Sequence, residues 1–393
     1  MRIADISEFF SDFGGGVRTY VHQKLEASAK VGLETVIIAP GPADRREKRL
    51  GGEIIWVRSP VLPFDHRYHL FARQKPVHDL LNEIRPDFVE GSSTWRGAWI
   101  ARNWTGLAPR ALFLHQDPVA VYPQTFFSPA LKADRVDQLF SGFWRYLVNL
   151  SAGFDATIAP SAVFARRLER YSVHRPIACP LGVDRSLFGP ERRSDRLRLK
   201  MLAACGVRDP AAPLFVAVSR HHPEKRLPMM MRAFAEFSKE RPAALYLVGD
   251  GPMWRSVSAQ AKRINGVAVA GPVTDRSLIA AMLASADYFV HAGAAETFGL
   301  VVAEALASGV PIIAPDRGGA SEFTHPAYAQ TYRAGDAGAL GAAMARIVSR
   351  DRRELSLAAR AGGHRVGAPA DHFAQLFSVY RALGKTRREP LAA

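Results

Sequence analysis

Four groups of residues in this chain of 393 have types and spacings that could do chemistry. Glu296 and Glu304 stand eight positions apart in HAGAAETFGLVVAEALASG (291–309), where nearly every other residue is small or apolar. Arg220 and Lys225 stand five apart in VSRHHPEKR (218–226), and His115 ends LFLH (112–115), two residues before Asp117. Gly14, Gly15 and Gly16 fall together in FFSDFGGGVRTY (9–20). Two cations fixed in one loop suit an anion such as a diphosphate, whose charge they would neutralise as it leaves. Carboxylates beside that anion would repel it and instead suit hydroxyl donors, such as the sugars flanking a diphosphate. A glycine run permits close backbone approach to phosphates, although any tight strand-to-helix turn also uses one. Each group has a plainer reading. Glu296 could simply charge a helix start, Glu304 could be a solvated helix position, the cations could lie on a surface loop, and a lone histidine is more often structural.

The elements that must position these residues are legible from hydrophobic periodicity. MRIADIS reads as a strand, VRTYVHQKLEASAKVG as a helix and LETVIIAPG as a second strand. Short apolar runs at 87–91, 111–115 and 156–160 continue the series. A second series runs through PLFVAVS (213–219), AALYLVG (243–249), VAVAG (267–271), DYFVH (287–291) and VPIIAP (310–315). Strands alternating with helices in two sets predict two doubly wound α/β domains with mostly parallel sheets. In such sheets ligands sit at the carboxyl ends of the strands, so the cleft between two domains is the expected site. DYFVH ends a strand and FGLVVAEALASG reads as a helix closed by Gly309 and Pro311, which puts Glu296 in the loop before the helix. The N–H groups at Phe298, Gly299 and Leu300 then form a candidate phosphate cradle, with Glu304 near enough to face it.

Composition narrows the class. With 48% hydrophobic residues the chain can bury a large core. Asp5 and Glu8 interrupt the opening residues where a signal peptide needs an apolar run, and no window reaches about 18 uncharged apolar residues. Cys179 and Cys205 lack metal-ligand spacing, and no paired-aspartate metal motif closes a strand. These features predict a cytoplasmic protein, soluble or held at the inner membrane face, with no metal and no bound cofactor. The net charge of +15 favours anionic partners: nucleotide diphosphates, nucleic acid or acidic lipid.

ETFGLVVAEALASGVPIIAPDRGG closely resembles the signature of retaining GT-B glycosyltransferases, glycosyltransferase family 4, which carry E-x-F-G-x-x-x-x-E at this position. The resemblance covers most of the chain and is strongest over residues 213–325. It implies a hexosyltransferase with two Rossmann-like domains facing a central cleft. By that resemblance Glu296 contacts hydroxyls of the transferred sugar and Glu304 the nucleotide ribose. VSRHHPEKR is similar to the family's G-R-x-x-x-x-K-G element. It keeps Arg220 and Lys225 for the diphosphate but has Ser219 and Arg226 where the family has glycines. The backbone near Val273 in AGPVTDRSL (270–278) would read the base. Gly15 and Gly16, with Arg18 a looser assignment, would approach the donor phosphates from the opposite domain, and His115 would hold the sugar near its reacting carbon. PLGVDRSLF (180–188) resembles the P-N-G-V-D element, with Leu181 in place of the asparagine.

The expected division is an acceptor-side domain over 1–185, a basic linker over 186–212, a nucleotide-sugar domain over 213–370, and a C-terminal helix and tail over 371–393 able to pack on the first domain. The expected reaction is metal-independent, retaining transfer of a hexose from GDP-mannose or a UDP-glucose type donor to a hydroxyl of a lipid, glycolipid or lipid-linked saccharide. Bacterial mannosyltransferase-like members are the nearer resemblance. A soluble saccharide or small-molecule acceptor, or a nucleotide-sugar epimerase, are the alternatives. Residues 57–75 and 119–147 interleave aromatics with basic residues, which fits either an anionic membrane surface or core packing. The diphosphate-plus-hydroxyl constellation disfavours nucleic acid as the partner.

Overall fold

The Val-, Ile-, Leu- and Phe-rich runs become strands buried on both faces, as parallel sheets covered by helices require. The computed structural model describes residues 1–11, 16–63, 65–127 and 131–388. Its first sheet runs in the order Pro176–Ala178, Ala156–Ala159, Arg110–Phe113, Phe88–Gly91, Arg2–Ile6, Glu34–Gly41, Gly52–Arg58, Arg45–Arg49. All neighbours are parallel except the last pair. The second sheet is wholly parallel, in the order Val267–Val269, Ala244–Val248, Leu214–Val218, Tyr288–Val290, Ile312–Pro315, Ala329–Tyr332. In register, Val216 lies opposite both Tyr246 and Phe289. Each sheet reverses its strand order beside its first strand. The reversal falls between Arg2–Ile6 and Phe88–Gly91 in one, and between Leu214–Val218 and Tyr288–Val290 in the other.

The chain divides into two units, each drawn from separate stretches of sequence. One unit comprises 1–116, 140–180 and 369–393; the other comprises 117–139 and 181–368. Residues 117–139, expected in the first domain, group with the second. Here Gln124 donates to Asp137 Oδ1 at 2.8 Å, and Arg226 reaches the Gln124 carbonyl at 3.5 Å. The basic linker expected over 186–212 is also corrected. Asp195–Ala204 is a helix capped by Ser194, with Met201 and Leu202 in the second unit's core. Arg198 anchors it, 2.6 Å from Asp287 Oδ2 and donating to the carbonyls of Pro210 and Ala212. A run dense in charge reads as solvated only until one of its arginines finds a buried carboxylate.

The helix Pro369–Arg388 belongs to the first unit. Tyr380 stacks on Phe88 at 4.1 Å between ring centres, and Phe373 packs on Tyr20 at 5.4 Å. His372 Nε2 lies 3.1 Å from the Tyr20 hydroxyl, and its Nδ1 lies 3.1 Å from the Pro180 carbonyl. That pairing specifies the neutral tautomer with the proton on Nδ1, and burial lowers the His372 pKa to about 4. Beneath the same helix, Lys24 is fully buried, with Nζ 2.8 Å from Asp5 Oδ2 and 2.8 Å from Glu90 Oε2. Ser92 Oγ lies 2.7 Å from Asp5 Oδ1 and 2.5 Å from Glu90 Oε1. Burial would lower the Lys24 pKa, but the two carboxylates outweigh it and raise it.

Candidate active site

The reversal point of the second sheet is where open α/β sheets place ligands, and its two strands end in the two charged loops. Leu214–Val218 leads into Ser219–Arg226, and Tyr288–Val290 into His291–Gly299. Lys225 Nζ is hydrogen-bonded to Glu296 Oε1, so the cation of one loop meets the carboxylate of the other. His291 Nε2 lies 3.7 Å from the same oxygen. Arg220 stands beside them, two-thirds exposed, its nearest carboxylate being Glu224 at 3.9 Å. Burial alone would push the Glu296 carboxyl up. Lys225, helped by His291 and Arg220, more than offsets that and holds it down at about 2. Burial takes His291 down to about 4, against the opposing pull of Glu296. Near neutral pH the site therefore presents an ionised Glu296 and a neutral His291 beside Lys225.

Phe298, Gly299 and Leu300 follow directly. The helix is Leu300–Ala307, two residues shorter at its start than the apolar pattern suggests, because Gly299 takes a left-handed conformation (φ +91°) and caps it. A Cβ there would also lie 3.0 Å from the Ala320 backbone. The loop is held from below by Gly319, whose N–H donates to the Glu296 carbonyl at 2.6 Å. A Cβ on Gly319 would meet the Phe298 backbone at 2.5 Å, so no larger residue fits this approach. The amides at 298–300 accordingly sit at a helix start with its partial positive charge.

Glu304 is buried, not solvated, at 3% exposure. Its Oε1 is hydrogen-bonded to Arg276, whose guanidinium lies 4.8 Å over the Phe188 ring. Burial raises the Glu304 pKa and Arg276 opposes it. Val273 precedes Arg276 by three residues and is half-buried against the core. The structure thus places Arg220, Lys225, Glu296, Phe298, Gly299, Leu300 and Val273 in loops after strands or at a helix start of one unit, with Glu304 within the helix that Leu300 begins.

His115 and Gly16 belong to the first unit; Gly15 lies outside the described residues. Gly16 opens the helix Gly16–Lys30. His115 follows the strand Arg110–Phe113, stacks on Phe113 at 4.2 Å and meets the edge of Tyr20 at 4.9 Å. Burial drives its pKa down to about 3, with Lys24 and His372 adding to that, so the ring is neutral. Asp117 accepts from the amides of Val119 and Ala120, which makes it a turn cap. Among the described residues no group of three His, Cys, Asp or Glu has metal-holding geometry.

Two residues of the site escape sequence reasoning. His291 closes DYFVH and would look like any strand-end histidine; its position before a loop carboxylate is the available signal. Arg276 lies in TDRSL, where nothing local marks it as the partner of a glutamate 28 positions on.

The chain's sequence matches the family profile "Glycosyltransferase Family 4" over residues 14–187 and the profile "Glycosyl transferases group 1" over 212–350. It is 26% identical to a GDP-mannose-dependent alpha-(1-6)-phosphatidylinositol dimannoside mannosyltransferase of Mycobacterium tuberculosis, over 80% of this chain and 79% of that protein. It is 29% identical to a GDP-mannose-dependent alpha-mannosyltransferase of Mycolicibacterium smegmatis, over 83% and 82%. Among solved structures, sucrose-phosphate synthase from Thermosynechococcus elongatus superimposes with a TM-score of 0.77 over 98% of this chain and all of that one, at 20% identity. The first-domain profile, the second-domain profile and the shared two-Rossmann fold point the same way: the chain belongs to the GT-B glycosyltransferases of family 4 and is a hexosyltransferase.

Proposed function

We propose that this hexosyltransferase moves a hexose with retention of configuration and without a metal ion. The donor is GDP-mannose, with a UDP-glucose type sugar as the second candidate. The acceptor is a hydroxyl of a lipid, glycolipid or lipid-linked saccharide at the inner face of the cytoplasmic membrane. The observation that carries the reading is the Lys225–Glu296 pair with Arg220 beside it at the sheet's reversal point. The mannosyltransferase relatives, whose names specify GDP-mannose and in one case a phosphatidylinositol mannoside, support the donor and the acceptor class.

As the sugar–phosphate bond loosens, negative charge gathers on the diphosphate and positive charge on the sugar. Arg220, Lys225 and the amides at 298–300 would take up the former, which is stabilisation aimed at charge that develops in the transition state. A diphosphate drawing Lys225 away would free Glu296 to accept from sugar hydroxyls. His115, being neutral, would contribute a hydrogen bond without a charge that opposes the developing cation. Glu304 would accept from the ribose once Arg276 swings out. Glu304→Gln should therefore raise the donor KM about tenfold or more, the worth of a hydrogen bond to a charged group, with kcat little changed.

The test is thermal protection by a panel of nucleotide sugars in the presence of EDTA, followed by transfer of labelled sugar into membrane extract. Protection by GDP-mannose and label in the lipid phase are expected. Failure of every nucleotide sugar to protect would sink the reading.

For the membrane face, the supporting observation lies in 117–139. Tyr122, Phe126, Phe127, Leu131 and Leu139 are exposed there, with Lys132 and Arg135 alongside. Phe71 and Trp144, from the same sequence stretches, are core residues instead. No described helix is long and apolar enough to cross a membrane. Phe126→Glu should cut retention on vesicles rich in acidic lipid by roughly tenfold or more, since it removes an exposed aromatic whose insertion into lipid is worth about 1.5–3 kcal/mol and adds repulsion. Co-sedimentation measures it, and unchanged retention would remove this segment from the interface.

A further inference from the structure

Arg226 is unusual three times over. It occupies a position where the family motif has glycine, it keeps a glycine-like left-handed backbone (φ +51°, ψ +34°), and its guanidinium has no carboxylate within ion-pair distance among the described residues. A long side chain held in that conformation costs on the order of 1–3 kcal/mol, and such strain concentrates at functional positions. Its polar contact is the Gln124 carbonyl, at a long 3.5 Å. Burial lowers its pKa, and the neighbouring Arg317 charge adds to that.

Both arginines line a small pocket with Ala294 and Ala295, the two residues immediately before Glu296, and with Ala334 and Gln124. Glu224 also borders it, but that carboxylate is engaged by His222, with Arg220 at 3.9 Å. Arg317 follows the strand Ile312–Pro315, Ala334 follows Ala329–Tyr332, and Arg226 ends the loop after Leu214–Val218. Three carboxyl strand ends therefore converge on two cations, next to the loop that carries Glu296. The free volume is about 20 Å³, room for little more than one oxygen-sized atom. Only the tip of a ligand enters.

We infer that Arg226 and Arg317 form a specificity pocket for the terminal oxyanion of a carboxylate, sulfonate or phosphate group carried by a substrate. Arg226 supplies the open guanidinium best matched to such groups, while Arg317, half-exposed, has its Nε 3.8 Å from Asp316 Oδ1. The inference rests on the glycosyl-transfer reading, because Glu296 defines which end of the substrate lies nearby. The oxyanion arrives on the transferred sugar, as in a uronic acid or sulfo-sugar, or on the acceptor, as in a phospholipid headgroup.

The experiment compares wild type with Arg226→Gly, which suits the left-handed backbone, and with Arg317→Ala at the exposed partner. One arm measures kcat/KM with UDP-glucuronate against UDP-glucose, and with GDP-mannuronate against GDP-mannose. The other uses a neutral donor and compares phosphatidylinositol vesicles with diacylglycerol vesicles. In one arm the wild type should favour the anionic member, and both variants should reduce that preference about tenfold or more, the worth of a charge-assisted hydrogen bond. A wild type without preference in either arm, a preference that survives both substitutions, or an equal loss for both members of a pair would overturn the pocket. Thermal protection by GDP and UDP is read on the same samples. Loss of all protection in the wild type strikes the glycosyl-transfer reading, whereas protection without preference strikes the pocket alone.

Discussion

Glu296→Gln should lower kcat by roughly 10²–10³-fold, the range found when a group aimed at transition-state charge is removed. The substitution keeps size and shape, so the loop held by Gly319 should persist and donor KM should change by no more than a few-fold. What disappears is the charge. Lys225 and His291 hold Glu296 ionised down to about pH 2, so over any practical pH range the wild type carries a full negative charge where the sugar is proposed to lie. Glutamine accepts hydrogen bonds more weakly and leaves Lys225 without its counter-ion. Steady-state rates with saturating donor measure the effect. Full activity in the variant would remove Glu296 from the sugar site.

Lys24→Met acts on stability. Lys24 joins Asp5 on one central strand to Glu90 on its neighbour, all three fully or almost fully buried. Deleting the cation leaves two carboxylates close together with no counter-charge, and breaking a buried ion pair from one side typically costs about 3–5 kcal/mol. Glu90 is the member that would yield first: burial already raises its pKa to about 7. The variant should therefore unfold well below the wild type in a thermal scan at pH 8, and regain part of the loss at pH 5, where Glu90 is protonated. Adding Asp5→Asn and Glu90→Gln should restore stability further, because a neutral set of similar shape leaves no unpaired charge. A Lys24→Met protein as stable as wild type would show that the network contributes nothing.

Much of this was legible in the sequence. The parallel strands announce themselves as apolar runs because both of their faces are buried. The charged loops fall at strand ends because a chain leaving a parallel sheet must turn there. What stayed hidden depends on partners distant in sequence. Arg45–Arg49, written RREKR, has no apolar pattern and is a strand only because it pairs antiparallel with Gly52–Arg58 at the sheet edge, where charges guard against further pairing. Glu304 was expected near the phosphate cradle, but its partner Arg276, 28 positions earlier, has no local signal that pairs the two. Residues 117–139 looked like first-domain sequence, yet they group with the other unit, where Arg226 donates to the Gln124 carbonyl. The helix start moved to Leu300 because one glycine's left-handed turn outweighs the apolar periodicity around it.

The helix that begins at Pro369 sets the order in which the protein can finish folding as it is made. Its rings cover Tyr20 and Phe88, and its histidine binds Pro180, so the first unit lacks one wall until Pro369–Arg388 has been translated. The ribosome needs roughly 10–40 s to cover the 189 positions from Pro180 to Pro369 at about 5–20 residues per second. The second unit, made later, has all its residues by Ala368 and can close first. During that interval the earlier half waits with an apolar face uncovered, and this is the stage at which a chaperone would have something to hold.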